Sequence, residues 1–138
     1  MEFDGCKLAA LYQGKILTYL RDDIPNILFP NQFDLPGGGR EGNETAEQCV
    51  LRELHEEFGL MLPANRLTNK IKYQLNSGKN AYFFMAILTS VEIQTIVFGE
   101  EGQFWQLIPI SEFVQMNGVI TRLKELVIVN IENNRKLK

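Results

Sequence analysis

The sequence predicts a single α/β domain, and three features carry that prediction. Short apolar runs broken by turn residues occupy residues 6–20 and recur between 67 and 107, which is a strand pattern. A helix-forming stretch with its own start and stop signals lies between them, and a second helical pattern closes the chain. A length of 138 residues with 45% hydrophobic content suits one domain, residues 1–138, with a sizeable core.

In order, Cys6 to Tyr12 and Lys15 to Leu20 flank the turn-like Gln13 and Gly14 and read as a hairpin. Arg21 to Gln32 contains Asp22, Asp23, Pro25, Asn26, Pro30 and Asn31, too many breakers for a regular element, so it reads as a loop. Leu35, Pro36, Gly37, Gly38 and Gly39 form a turn at which backbone can approach a ligand closely. Thr45 followed by Gln48 has the form of a capping box opening a helix, and Gly59 ends that helix as a left-handed cap would. Leu51, Leu54 and Phe58 form the stripe that anchors it on a sheet. Leu67 to Leu75 and Asn80 to Leu88 are expected as strands around Asn76, Ser77 and Gly78, with Tyr82, Phe83 and Phe84 favouring the extended state. Val91 to Phe98 is expected as a further strand, and Phe104 to Leu107 as a short one after the polar loop Gly99 to Gln103. Val119 to Ile131 closes the chain as a helix, with Leu123, Leu126, Val127 and Asn130 at helical spacing.

The most informative side chains lie on the first helix. At 3.6 residues per turn, Glu53 and Glu57 stand one above the other with Glu56 beside them, so like charges crowd one flank. A solvated acidic face is the bland reading of such a run. A bound cation is the alternative, because it relieves the repulsion, and oxygen-only ligands suit Mg²⁺ or Mn²⁺ with a phosphate-bearing substrate. Arg52, four residues before Glu56, can fix that carboxylate as an ion pair. The glycine turn and the caps around the helix favour the metal reading.

Other chemistries are poorly provided for. His55 is the sole histidine, so a Ser/His/Asp triad would need it and a zinc site would lack ligands. Cys6 and Cys49 give no disulfide framework and read as two reduced, buried thiols. A net charge of −3 leaves no basic footprint for a nucleic-acid polymer. No long apolar span or signal-like N-terminus is present, so no membrane association and a cytoplasmic location are expected. Trp105 and the aromatics at 82–84 are expected in the core rather than stacked on a base.

Taken together, Gly38, Glu44, Arg52, Glu53, Leu54, Glu56, Glu57, Gly59 and Leu60, at these spacings, resemble a complete Nudix box over residues 38–60. The resemblance implies a Nudix hydrolase, which cleaves a nucleoside diphosphate linked to another group using a divalent metal and water, on an α/β/α sandwich with a mixed sheet. It implies that Glu53, Glu56, Glu57 and Arg52 are catalytic and that Gly37, Glu53, Glu56 and Glu57 bind Mg²⁺, with Mn²⁺ as the alternative. Glu44 and Gly59 are structural by the same resemblance. An additional acidic residue from a distant loop often completes the site in this family. Glu101 in Gly99 to Gln103 is the first choice for that role, both catalytic and metal-binding, and Glu100 the second.

Among the branches, the mutator-type, 8-oxo-dGTP diphosphatase-like group is the most similar, through Phe33 to Gly38 as the strand entering the box, the acidic loop, and Met116 to Leu126. By this resemblance Asn117 bonds the purine edge, Arg21 binds phosphate or ribose, and Asp34, Leu35 and Gly38 complete the substrate-binding set. Gly39 departs from that group, where a larger residue stands. Leu75 and Asn76 stand where ADP-ribose hydrolases place a proline, and Gln74 to Lys79 holds no tyrosine of the kind the diadenosine polyphosphate group carries. The expected substrate is a small nucleotide, a nucleoside triphosphate first, another diphosphate-linked nucleotide second. A non-catalytic nucleotide-sensing module is the alternative of different class.

Overall fold

In the computed structural model, which describes residues 2–136, the chain forms a mixed sheet with helices on both faces. The predicted hairpin is β1, Gly5–Tyr12, and β2, Lys15–Leu20, turning through Gln13 and Gly14, which both have positive φ. The expected single strand from Phe33 to Gly38 is two pieces with different partners. Phe33–Asp34 (β3) pairs with β2, while Gly37–Gly39 (β4) pairs with β1. Then come α1, Ala46–Phe58, β5, Thr68–Gln74, and β6, Asn80–Ile87, close to their expected bounds.

The expected strand from Val91 to Phe98 is a correction. Residues Ser90–Gln94 form a short helix, α2, because Thr89 and Glu92 make a reciprocal capping box at its start. The chain closes with β7, Phe104–Pro109, α3, Ile110–Phe113, and α4, Thr121–Lys136. Val119, expected as the first residue of the last helix, instead bridges Phe33 in parallel, so α4 begins later.

Strand order is β3-β2-β1-β6-β5, with β7 on β2 and β4 on β1. Among the named strands the β1/β6 pairing is parallel and the other pairings are antiparallel. The continuous apolar run of β6 follows from burial on both faces. Tyr82, Phe84 and Ala86 pack with Leu54 and Phe58 of α1, whereas Ala81, Phe83 and Met85 pack with Leu123, Leu126 and Val127 of α4. Asn130 is buried too and exchanges hydrogen bonds with Asn69 at 3.1 and 3.3 Å, which ties α4 to β5. The anchoring stripe of α1 is wider than Leu51, Leu54 and Phe58: Ala46, Cys49 and Val50 are also buried and Leu51 only partly so. Among the described residues no helix is long and apolar enough to cross a membrane.

Candidate active site

The acidic helix is held at both ends by its own sequence. The Thr45 hydroxyl accepts from Gln48 N–H at 3.1 Å and the Gln48 side chain accepts from Thr45 N–H at 2.9 Å. Gly59, with φ 69°, closes the other end by donating to His55 O. His55 itself is exposed.

Arg52 ties this helix to the glycine turn. Its Nε reaches Glu44 Oε2 at 2.6 Å, and its Nη2 reaches Gly39 O at 2.8 Å and Glu44 Oε1 at 3.1 Å. Its Nη1 holds both Glu53 Oε1 at 2.9 Å and Glu56 Oε2 at 3.1 Å. The expected Arg52–Glu56 pair is therefore one arm of a larger clasp in which Glu44 is the two-pronged partner. Hydrogen bonding to Arg52 lowers the Glu44 pKa.

Gly38 is where this clasp meets the sheet. A methyl group there would lie 2.7 Å from Glu53 Cδ, so only glycine leaves room for that carboxylate. Gly37, with φ 138°, lies against the β1 backbone, and its N–H donates to Glu57 Oε1 at 2.9 Å. Burial pushes the Glu57 carboxyl up to about 8, with Glu53 and Asp34 adding to the rise and Lys7 and the Gly37 N–H opposing it. Burial also raises Glu53, against Arg52.

These observations bear on whether the residues fit a divalent cation. Two half-buried or deeper carboxylates with raised pKa values, all-oxygen donors and a nearby backbone carbonyl match a hard cation, whose charge reverses such shifts. As placed, Arg52 and the Gly37 N–H occupy the carboxylates, and among the described residues no three acidic, histidine or cysteine side chains already converge on one point. Glu56 is 54% exposed, and among the described residues Arg52 is its ion-pair partner.

The distant acidic loop arrives at the same end of α1. Val97 N–H donates to Phe58 O at 3.0 Å and Gly99 N–H to Glu57 O at 2.9 Å. A cavity of about 280 Å³ follows, lined by Glu101, Gly102, Tyr19, Arg21 and Asp22. Glu101 lines it, whereas Glu100 does not.

Arg21 also lines a second cavity, of about 370 Å³, on the α4 side of the sheet. Lys7 and Asp34 lie on its floor with Arg21, and Tyr73, Ile120 and Leu123 are among its apolar walls. Asp34 is 1% exposed and is the hub of the floor. Burial alone would raise its carboxyl, but Lys7, the Leu35 N–H and Arg21 together hold it below the usual carboxylate range. Lys7 stands opposite Gly37 in the β1/β4 register, so this floor and the Glu57 edge are neighbours across one strand pair.

The remaining substrate-side expectations divide. Leu35 is buried, and its amide and carbonyl serve Asp34 and Lys7. Asn117 is exposed in the bend before Val119 and is not among the residues lining either cavity. Lys7, Tyr19 and Phe29 were not singled out by sequence. The one available signal was Lys7 itself, the only charge in the strand GCKLAALY. Cys6 and Cys49 are free and buried, with their sulfurs 3.0 Å apart between β1 and α1.

A profile described as the NUDIX domain matches residues 9–126, so the chain belongs to the Nudix family, whose members are hydrolases of nucleoside diphosphate-linked substrates. It is 30% identical over 99 residues to the 8-oxo-dGTP diphosphatase of Escherichia coli K12, covering 70% of this chain and 77% of that protein. The 8-oxo-dGTP diphosphatase of Haemophilus influenzae is 29% identical over 89 residues, 63% of either chain. An RNA pyrophosphohydrolase of Haemophilus influenzae is 30% identical over 95 residues, 69% of this chain but 46% of that protein. The chain thus spans about half to two thirds of the length of the last two relatives. In fold it is similar to a MutT protein from Methanosarcina mazei, with a TM-score of 0.73 at 14% identity over 96% of this chain and 94% of that one. Nudix enzymes generally use divalent metal ions.

Proposed function

We propose that this chain is a metal-dependent nucleoside triphosphate diphosphatase, releasing a nucleoside monophosphate and pyrophosphate. The observation that carries the reading is the adjacency of the partly buried Glu53 and Glu57 edge to a largely apolar cavity of about 370 Å³, with Lys7 linking the two. An acidic edge of this kind suits metal-bound phosphates, and the cavity is of a size that accepts a nucleoside. Two 8-oxo-dGTP diphosphatases among the relatives support the triphosphate reading. A net charge of −3 favours a small nucleotide over an RNA chain end, despite the RNA pyrophosphohydrolase relative.

Glu53, Glu56 and Glu57, with the Gly37 carbonyl and Glu101, would hold the cation, Mg²⁺ or Mn²⁺. When bound there, such an ion neutralises charge on bridging phosphate oxygens and lowers the pKa of its water. The chain's own residues do the rest. Arg52 sets the rotamers of Glu53 and Glu56, the Gly37 N–H fixes Glu57, and Arg21, shared by both cavities, offers N–H donors to a phosphate or ribose oxygen. A carboxylate of the edge or Glu101 takes the proton of the attacking water.

The test is a hydrolysis screen with Mg²⁺ over normal and oxidised nucleoside triphosphates, nucleotide sugars, ADP-ribose, dinucleotides and a 5′-triphosphate RNA oligonucleotide. Pyrophosphate release from a triphosphate is expected, and Glu57→Gln should abolish it. Ligand binding without turnover across the whole panel, or far higher kcat/KM for the RNA or a nucleotide sugar, would overturn the proposal.

A further inference from the structure

The floor of the larger cavity is one-sided in its hydrogen bonding. Asp34 has no accepting capacity left, since Oδ1 takes Lys7 at 2.9 Å and the Leu35 N–H at 2.7 Å, while Oδ2 takes Arg21 at 2.9 Å and the Tyr19 hydroxyl at 3.1 Å. A carboxylate accepts about four hydrogen bonds, so this one is saturated. Donors are in surplus. Among the described residues the Lys7 ammonium meets Asp34 and, at 3.3 Å, Leu35 O, which leaves an N–H over. Arg21 bonds Leu28 O through Nε and Asp34 through Nη1, and its fork carries more N–H groups than these partners take. Asn76 and Ser77, also on the lining, donate or accept equally well and so introduce no bias.

Phe29 adds an aromatic wall to the same cavity. It has φ 51°, a left-handed conformation that bulky residues rarely adopt, and it remains 36% exposed. Backbone of this kind gathers at ligand clamps, and a flat heterocycle is what an aromatic wall and apolar neighbours accommodate.

We propose that Lys7 is a specificity-determining residue that reads ring carbonyl oxygens of the base. The chain then prefers bases with a carbonyl where the alternative base has an amino group, guanine over adenine and uracil over cytosine. A carbonyl receives a charge-assisted hydrogen bond from the spare N–H on this floor, whereas an amino group sets donor against donor and leaves that N–H without an acceptor. This rests on the triphosphate reading and extends it to the choice of base.

The experiment compares kcat/KM for GTP with ATP and for UTP with CTP, in wild type, Lys7→Met and Lys7→Arg. The ratio within each pair is the readout, because a disturbance of the acidic edge or of folding changes both members alike. Wild type is expected to favour the carbonyl base by about tenfold or more in both pairs, the effect of one charge-assisted hydrogen bond. Lys7→Met should bring both ratios toward unity, chiefly through KM, and Lys7→Arg should retain them. Equal rates within the pairs in wild type, or ratios unchanged in Lys7→Met, would refute the proposal. If no triphosphate is cleaved, the triphosphate reading fails by itself. The same ratios are then measured as Kd for GMP against AMP and UMP against CMP by calorimetry without metal, where equality refutes the role of Lys7.

Discussion

At Gly38 a single missing methyl group sets the position of a charge. Alanine there would press on the far end of the Glu53 side chain, 2.7 Å away at Cδ, and that end is flexible. Gly38→Ala is therefore expected to fold, with a melting temperature close to wild type, yet to lose about a hundredfold or more in kcat as Glu53 is displaced; circular dichroism and a pyrophosphate assay read the two effects separately. The spacing of Arg52, Glu53, Glu56 and Glu57 was legible because the helical period converts sequence distance directly into spatial distance. The Asp34 hub was not. Lys7 reaches it from β1, Tyr19 from β2 and Arg21 from the residue after β2, and strand pairing leaves no trace in local spacing. The left-handed backbone of Phe29 was equally invisible, since an aromatic residue gives no signal for positive φ.

Two helices here begin with the same device, and only one is legible in the sequence. Thr45 with Gln48 was recognised, and Thr45→Ala should cost about 1 kcal/mol, lowering the melting temperature by about 4 °C in a calorimetric scan. Thr89 with Glu92 forms an equivalent box, but Val91, Ile93 and Val97 alternate like a strand and hid it. The structure shows why alternation misled: Val91 and Val97 are exposed, while Ile93, Ile96 and Phe98, which do not keep a regular alternation, pack on the α1 side. β6 was legible as a strand for the converse reason, as a long apolar run rich in aromatics has few other places to go than between two layers.

For the whole molecule, two perturbations should separate the site from the scaffold. Mg²⁺ is expected to raise the melting temperature, a chelator to reverse this, and Glu57→Gln to remove most of the shift, as follows if the ion binds only the folded chain. Acid acts through Asp34. Its pKa is held below the ordinary value, so its contribution is present above the unfolded carboxylate range and is lost as pH falls through the lowered value. Asp34→Asn should thus be less stable than wild type near neutral pH, with the gap closing in denaturant melts as the pH is lowered through the depressed value. The parallel pairing of β1 with β6, Gly5 against Ala81 through Leu11 against Ile87, governs the order in which all of this forms. One edge of β1 is shared by β2 and β4, which lie close in sequence, but the other edge waits for residues more than seventy positions downstream. Long-range closure of this kind slows folding, and the local contacts of the glutamate helix are expected to form before the sheet it rests on is complete. The amides of β1 and β6 should therefore be the slowest to exchange with solvent, and should exchange together, through opening of the entire domain.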